Sequence, residues 1–287
     1  MAQRSALERR QALHIALYAA PATLLMLGVF VAPMGIVIGQ SLTSEHAATF
    51  SFNAFTRIAS DPLFLRIGVT TLEITLLATG FALLLAYPLA FYLAQQPPRR
   101  RALLMVLVLV PFWTSVLVKS FAFTVILGHS GFVNTALAWL GLPTIKLLFN
   151  RVGVVIGMSH YLVPFMVFPI LSNLVAQPRE LALASAILGA GQWRIFCRVT
   201  LPLSLPGVMA GVLLVMILSL GFYVVPALLG GRQDMMLANL VDFYAREAID
   251  WPMASALSVL LMAAAAIAAV CLSFIPVGSA LLGGEER

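Results

Sequence analysis

Charge is scarce in this sequence. Only 17 basic and 11 acidic residues occur among 287, so charged residues make up 10% of the chain and hydrophobic residues 61%. Soluble globular proteins carry about 25% charged and about 45–50% apolar residues. The composition therefore excludes an ordinary soluble protein and indicates an integral membrane protein. We attribute the net charge of +6 to Lys and Arg concentrated on one side of a membrane, not to nucleic-acid binding.

The chain also lacks the residue patterns of catalysis and metal binding. Its two cysteines, Cys197 and Cys271, are too few for a disulfide framework. The four histidines are scattered, and no HExxH, GxSxG or CxxC sequence occurs. The only lysines are Lys119 and Lys146, and neither completes a GxxxxGK[ST] phosphate loop. We therefore expect a chain that is not an enzyme, holds no metal or cofactor, and cannot hydrolyse ATP by itself.

Long apolar stretches are abundant. A membrane-spanning helix needs about 20 mostly apolar residues, and six stretches qualify, at residues 14–39, 68–94, 102–127, 152–171, 207–229 and 253–275. Strands of a membrane barrel alternate in polarity over about ten residues, and these stretches do not. The sequence therefore predicts an all-α polytopic membrane protein with one domain over residues 1–287. The first stretch exceeds a signal-peptide core, so we expect it to be retained as a span.

The arginines predict how the spans are oriented. Six spans place both termini on one side of the membrane, and that side holds Arg4, Arg9, Arg10, Arg99, Arg100, Arg101, Arg179, Arg194, Arg198 and Arg287. The other side holds Arg57, Arg66, Lys146, Arg151, Arg232 and Arg246, diluted by Glu45, Asp61, Asp234, Asp242, Glu247 and Asp250. Short cytoplasmic loops carry the excess of Lys and Arg. We therefore expect both termini to be cytoplasmic.

Two of the outer connections contain helical patterns. The connection before span two has the composition of a loop followed by a short helix. In the connection after span five, apolar residues recur at helical spacing at Met236, Leu240, Phe243 and Tyr244, which predicts a short helix at the outer interface. This helix either caps the bundle or binds a partner, and the sequence leaves both open.

Ionisable residues inside the spans are few. Glu73 lies a few residues into span two, and Lys119 lies inside span three. Such residues indicate function by default, because a charge in the membrane is costly. An ion-coupled carrier needs buried carboxylates and often paired broken helices. Only one carboxylate qualifies, so the sequence favours transport driven by another protein, with a secondary-active carrier as the alternative.

The segment "ELALASAILGAGQWRIFCRVTLPLSLPG", Glu180 to Gly207, lies between spans four and five. Pro178 suits a first helical turn, "RELALASAIL" is rich in helix formers, and Gly189 and Gly191 offer a turn. "QWRIFCRV" predicts a second short helix, and the prolines of "LPLSLPG" predict an extended approach to span five. Two interpretations fit this hairpin: a rigid knob for a groove on a cytoplasmic partner, or a surface helix packed on its own bundle.

The whole chain resembles the permease subunits of binding-protein-dependent ABC importers, in the spermidine/putrescine-type branch. The hairpin matches the cytoplasmic EAA-type loop of that family, about residues 173–206. Further matches, in family order, are "YPLAFYLAQQPPR", "LVPFWTSVLVKSFAF", "LVPFMVFP", "PALLGG" with "MLANLV", and "DWPMASALSVLL".

The resemblance implies a bacterial inner-membrane importer that works by alternating access. It implies a second permease subunit that is not identical, two ATPase subunits that bind ATP and Mg, and a periplasmic solute-binding protein. It assigns contact with the ATPase to Glu180, Leu183, Ala184, Ser185, Leu188, Gly189, Ala190, Trp193 and Phe196.

The chain departs from the family pattern in two places, and the first is the hairpin. Leu183 replaces the glutamate that names the motif, and Glu180, one turn earlier, points about 60° away around the helix. Ile187 is apolar where the family is acidic. The contact with the ATPase is therefore expected to depend on shape and apolar packing.

The second departure concerns the solute. Gly221-Phe222-Tyr223 stands where polyamine permeases often read Gly-Asp-Phe, and Lys119 would repel a polycation. The expected solute is polyamine-like or another amine or amino-acid-like molecule. Lys119 either lines the path, snorkels, or bonds to a neighbouring carbonyl. The candidate path residues are Trp113, Thr114, Lys119, Tyr161, Phe222, Tyr223 and Pro226.

Overall fold

The computed structural model describes residues 2–44 and 49–273, and in these residues the chain forms thirteen α-helices and no β-sheet. They are α1 (Ala2–Ser41), α2 (Asn53–Ser60), α3 (Pro62–Ala94), α4 (Pro98–Trp113), α5 (Val116–Leu127), α6 (Phe132–Trp139), α7 (Arg151–Ala176), α8 (Arg179–Ile187), α9 (Gln192–Ile195), α10 (Leu201–Leu220), α11 (Val224–Leu229), α12 (Leu237–Arg246) and α13 (Trp251–Ser273). The predicted all-α fold is confirmed. Glu45, Arg287 and residues 274–275 of the sixth predicted span lie outside the described residues.

Six helical segments of the described residues are long and apolar enough to cross a membrane, so the predicted number is confirmed. They are Ala20–Ser41, Pro62–Ala94, Val116–Trp139, Arg151–Ala176, Gln192–Leu220 and Trp251–Cys271.

The third predicted span, 102–127, is not one continuous helix. Thr114 and Ser115 are extended, with ψ of 143° and 138°, and separate α4 from α5. The Thr114 hydroxyl donates to the Pro111 carbonyl at 2.7 Å. Such local bonds of a Thr side chain compete with the main-chain bonds of a helix. The third predicted span is therefore divided between α4 and α5.

The extended approach predicted for "LPLSLPG" is wrong, because α10 begins at Leu201. A π-helical turn, Phe196–Thr200, joins α9 to α10 and shifts the hydrogen-bond pattern just before Pro202. Burial of Ser204, Gly207 and Val208 then stabilises a helix despite its two prolines. Because α7 also runs on to Ala176, the segment between the long helices is shorter than the predicted loop 173–206.

The fifth predicted span, 207–229, is also interrupted. Helix α10 ends at Leu220, Gly221 to Tyr223 form a non-helical link, and α11 resumes at Val224. The predicted span therefore combines most of one long helix with a separate short one. Both breaks, in spans three and five, fall among the predicted path residues.

The centre of the bundle is formed by α3, α7 and α10. Four alanines of α3 at intervals of four residues, Ala78, Ala82, Ala86 and Ala90, are completely buried and lie on one helix face. At the crossing of α10 with α7, a Cβ on Gly207 would lie 2.5 Å from the Asn173 Cβ and 2.8 Å from the Pro169 carbonyl oxygen. The small side chains let the helices pack closely, as small residues do in membrane bundles.

Helix α12 lies at the opposite end of the bundle from α8, and its predicted existence is confirmed. Met236 and Leu240 are buried, and Tyr244 stacks on Phe64 at 6.3 Å between ring centroids. The Leu237 amide donates to the Thr71 hydroxyl at 2.9 Å, which pairs one of the free donors at the start of α12. This packing supports the bundle-capping interpretation of α12.

The crossing of α7 and α10 gives a stability prediction. Gly207→Ala should destabilise the protein by about 1–3 kcal/mol, because the added methyl group overpacks a tight contact. Gly80→Ala is the matched control, since nothing lies within 4 Å of a Cβ at that position in α3. The measurement is the thermal unfolding midpoint in detergent. Equal midpoints for the two variants would contradict a close crossing.

Candidate functional site

The hairpin consists of α8, a glycine turn, α9 and the π-helical turn. Gly189 has φ of +85°, a conformation that favours glycine. Its amide donates to the Ala186 carbonyl at 3.0 Å, and the Ala190 amide donates to the Ser185 carbonyl at 3.0 Å. This is a Schellman motif, which pairs the last carbonyls of α8. The predicted glycine turn is therefore confirmed at Gly189.

Phe196 fixes the hairpin to the end of α3. Its ring contacts Phe91 at 5.3 Å, Trp193 at 5.7 Å and Tyr87 at 6.1 Å between centroids. The Tyr87 hydroxyl is 2.9 Å from the Ser204 hydroxyl of α10. The contacts with Tyr87 and Phe91 are edge-on and the contact with Trp193 is stacked, and aromatic pairs of these kinds contribute about 0.5–1.5 kcal/mol each beyond the burial of area. The hairpin is thus attached to two central helices, α3 and α10.

Four apolar side chains of the hairpin are exposed. Leu183, Ile187, Leu188 and Trp193 have exposed fractions of 64%, 86%, 88% and 77%. Single exposed apolar residues are ordinary, but a cluster on one short segment is typical of an interaction surface. We call these four residues the apolar tip.

The other hairpin residues named from the sequence lie around this tip. Ala184 and Gly189 are exposed, whereas Ser185, Ala190 and Phe196 are half-buried. The Ser185 hydroxyl donates to the Leu181 carbonyl at 2.8 Å, and Glu180 lies in the first turn of α8. The hairpin and the last turns of α3 also enclose an open cavity of about 870 Å³, lined by Tyr87, Phe91, Gln95, Ala182, Trp193 and Phe196.

Three of the candidate path residues meet inside the bundle. The Lys119 ammonium lies 4.5 Å from the centroid of the Tyr161 ring, and Tyr161 contacts Phe222 at 4.9 Å between centroids. Lys119 Nζ also donates to the Pro111 carbonyl at 2.7 Å. Of the roles that the sequence allowed for Lys119, the bond to a neighbouring carbonyl is therefore present.

The remaining candidates are placed differently. Trp113 and Thr114 lie at the break between α4 and α5, and the Trp113 side chain is 84% exposed. Tyr223 belongs to the link before α11, where its carbonyl accepts a bond from Asn239 Nδ2 at 2.9 Å. Pro226 is buried within α11. The structure thus brings Lys119, Tyr161 and Phe222 together and does not place Trp113 in direct ring contact with them.

His160 is a neighbour that the sequence analysis missed. Its ring lies edge-on to Phe123 at 5.3 Å between centroids, and both residues border a cavity of about 490 Å³ lined by apolar residues of α3, α4, α5 and α7. The rule that marked Glu73 and Lys119, an ionisable residue inside a span, applies equally to His160. Treating the histidines only as metal ligands concealed it. Within the described residues no group of three or more His, Cys, Asp or Glu side chains is placed to hold a metal ion.

Glu73 has a partner at the end of the bundle that carries α12. Arg151, the first residue of α7, pairs with Glu73 through Nη1, and its Nε lies 3.3 Å from Asp234 Oδ1. Asp234 also accepts a bond from the Gly231 amide at 3.1 Å. Arg151 therefore joins α3 and α7 to the loop before α12, which gives Glu73 a structural role.

Broken spans, an apolar cavity and a projecting hairpin are features expected of a membrane transport subunit. Residues 86–280 match the family of binding-protein-dependent transport system inner membrane components, and the chain belongs to this family. It is a transmembrane permease subunit of an ATP-driven ABC importer in the inner membrane, and a separate subunit hydrolyses ATP. This agrees with the resemblance noted in the sequence and disfavours a secondary-active carrier.

Individual proteins show the same relationship. The chain is 36% identical over 244 residues to the spermidine/putrescine transport system permease protein PotB of Escherichia coli K12, covering 83% of this chain and 88% of PotB. A crystal structure of a bacterial alginate ABC transporter has a chain that superimposes with a TM-score of 0.69 at 18% identity, covering 93% and 94% of the two chains. A chain of the MetNI methionine ABC transporter gives a TM-score of 0.55 at 17% identity, covering 75% and 97%.

The glycine turn gives a prediction for the hairpin. Gly189→Ala should cost about 1–2 kcal/mol locally, because a side chain is strained in the left-handed conformation. Amide hydrogen exchange at the end of α8 should then accelerate about 5- to 30-fold.

Gly191→Ala is the control for this prediction, because Gly191 has φ of −68° and open space around it. If both variants exchange at the same rate, the left-handed turn does not stabilise the hairpin.

Proposed function

We propose that the hairpin is the coupling element of the importer and that its apolar tip seats in a cleft on an ATPase subunit. One observation carries this proposal: Leu183, Ile187, Leu188 and Trp193 are exposed apolar side chains of one short hairpin, and that hairpin is fixed to α3 through Phe196. An apolar surface on a rigid support is suited to transmitting force between subunits. A surface helix that packs on its own bundle would bury these residues instead.

The ATPase contact in this proposal depends on apolar packing more than on a charge pair. Leu183 occupies the position of the family's glutamate, and Glu180, in the first turn of α8, is displaced about 60° around the helix from it. The loss of an exposed ion pair costs only about 0–1 kcal/mol. Burial of a leucine side chain contributes about 1.5–3 kcal/mol, which is enough to replace it.

The orientation of the chain in the membrane follows from assigning the hairpin to the ATPase contact. The hairpin end of the bundle faces the cytoplasm, where the ATPase subunits bind ATP and Mg, and both termini lie on that side. Arg99, Arg100 and Arg101 at the start of α4 support this, because short cytoplasmic loops collect positive charge. The end with α12 then faces the periplasmic solute-binding protein. A second, non-identical permease subunit completes the membrane channel, and no nucleic acid is involved.

The solute class that we propose is a small organic amine of the polyamine type. The likeness to PotB over 83% of this chain supports this class, and so does the aromatic cluster of Tyr161, Phe165 and Phe222 beside the two helix breaks. Aromatic faces attract organic cations. In this proposal the candidate path residues around Lys119 line the route, and the breaks in spans three and five let short helix segments move as access alternates.

The experiment is the ATPase rate of the co-expressed complex in lipid, with binding protein and a panel of putrescine, spermidine, amino acids, opines and aminophosphonates. Putrescine or spermidine should stimulate hydrolysis. Leu188→Asp should reduce this stimulation at least about tenfold, because burying an unpaired carboxylate in the ATPase cleft costs several kcal/mol.

Leu140→Asp is the matched control, since Leu140 also follows the last residue of a short helix, is 74% exposed, and belongs to the connection between spans three and four. It should leave stimulation intact. Unchanged stimulation in Leu188→Asp would overturn the coupling assignment, and stimulation by amino acids, opines or aminophosphonates but not by putrescine or spermidine would overturn the solute class.

A further inference from the structure

The break between α4 and α5 leaves the Pro111 carbonyl without its usual helical donor, and side chains supply the donors instead. In a continuous helix the Pro111 carbonyl would accept the amide of Ser115, four residues later. The chain is extended at Thr114 and Ser115, and the carbonyl accepts instead from Thr114 Oγ1 and Lys119 Nζ, each at 2.7 Å. A carbonyl inside a membrane needs such a donor, because lipid offers none.

The Lys119 ammonium is held without a carboxylate. It lies over the Tyr161 ring, 4.5 Å from the centroid, and none of the ion pairs in the described residues includes it. Its partners are therefore the oxygen of Pro111 and the face of an aromatic ring. These are the two kinds of group that bind a primary ammonium when no anion is available.

The residues around the Lys119 ammonium add aromatic and apolar surface that suits a longer molecule. Tyr161 contacts Phe222 at 4.9 Å and Phe165 at 5.8 Å between centroids, and Phe165 contacts Phe112 at 5.3 Å. Pro111 borders the apolar cavity of about 490 Å³. The lysine side chain is an ammonium on four methylene groups, which matches putrescine apart from its second ammonium group.

We propose that the Pro111 carbonyl and the Tyr161 ring form a binding site for a primary ammonium group, that Lys119 occupies this site in the absence of solute, and that an amine solute displaces Lys119 during passage. This inference rests on the proposed amine substrate. The long flexible side chain of Lys119 can withdraw, as lysine side chains do at membrane depth. Lys119 is then an internal competitor, which keeps solute binding weak enough for release.

Uptake kinetics of the reconstituted complex test this proposal. Lys119→Met keeps the length of the side chain and removes its charge, so it should lower the half-saturating putrescine concentration roughly 3- to 30-fold and also lower the maximal uptake rate. Lys119→Arg keeps a cation and should stay closer to the native protein. Lys146→Met, at the only other lysine of the chain, is the control and should change neither value. A half-saturating concentration that is unchanged or raised in an assembled Lys119→Met complex overturns the proposal.

Two variants of Tyr161 test whether Lys119 and the solute bind to the same groups. Tyr161→Leu removes the aromatic face and should raise the half-saturating concentration, whereas Tyr161→Phe should not. In the Tyr161→Leu background, Lys119→Met should have a smaller effect than in the native protein, because one of the two contested groups is gone. An equal effect in both backgrounds means that Lys119 acts by charge repulsion alone, and the shared site is wrong. If Lys119→Met does not assemble, Tyr161→Leu with native half-saturation overturns the proposal by itself.

The outcomes also separate this inference from the proposed substrate. If the native complex takes up no amine, the proposed solute class fails and the shared site fails with it. If the native complex takes up putrescine and the Lys119 and Tyr161 variants keep its kinetics, the solute class stands and only the shared site is rejected.

Discussion

The close packing of α3, α7 and α10 is the constraint on which the other features depend. The buried alanines of α3 and the glycines Gly207 and Gly211 of α10 bring these helices together, and in a membrane such contact supplies much of the association that the hydrophobic effect supplies in water. Tight interiors transmit displacement because they have little room to deform. The three helices therefore form a rigid centre to which the other helices attach.

The hairpin and the aromatic cluster around Tyr161 are both connected to this rigid centre. The hairpin continues through the π-helical turn into α10, and Phe196 fastens it to α3. The far end of α10 leads to the link at Gly221–Tyr223, where Phe222 meets Tyr161. A movement imposed on the apolar tip would thus reach the aromatic cluster through one helix. This continuity gives a physical basis for coupling ATP hydrolysis in one subunit to solute movement in another.

The sequence predicted features that depend on local chemistry and missed those set by tertiary contacts. Apolar length predicted the six spans, and Gly189 predicted the turn, because both follow from the residues themselves. The helix at "LPLSLPG" escaped prediction because burial against α7 outweighs its prolines, and the break at Thr114 is stabilised by Lys119, five residues away. The cluster of Lys119, His160 and Tyr161 depends on how α5 packs on α7, which no local pattern reveals.

In the proposed mechanism, Phe196 joins the hairpin to the transmembrane helices as one moving unit. The direct test is the number of ATP molecules hydrolysed per solute molecule taken up by the reconstituted complex with Phe196→Leu, compared with Phe132→Leu at the exposed start of α6. Phe196→Leu should still assemble and hydrolyse ATP but consume several times more ATP per solute, while Phe132→Leu should match the native protein. An unchanged ratio in Phe196→Leu would mean that Phe196 does not couple the hairpin to the transmembrane helices.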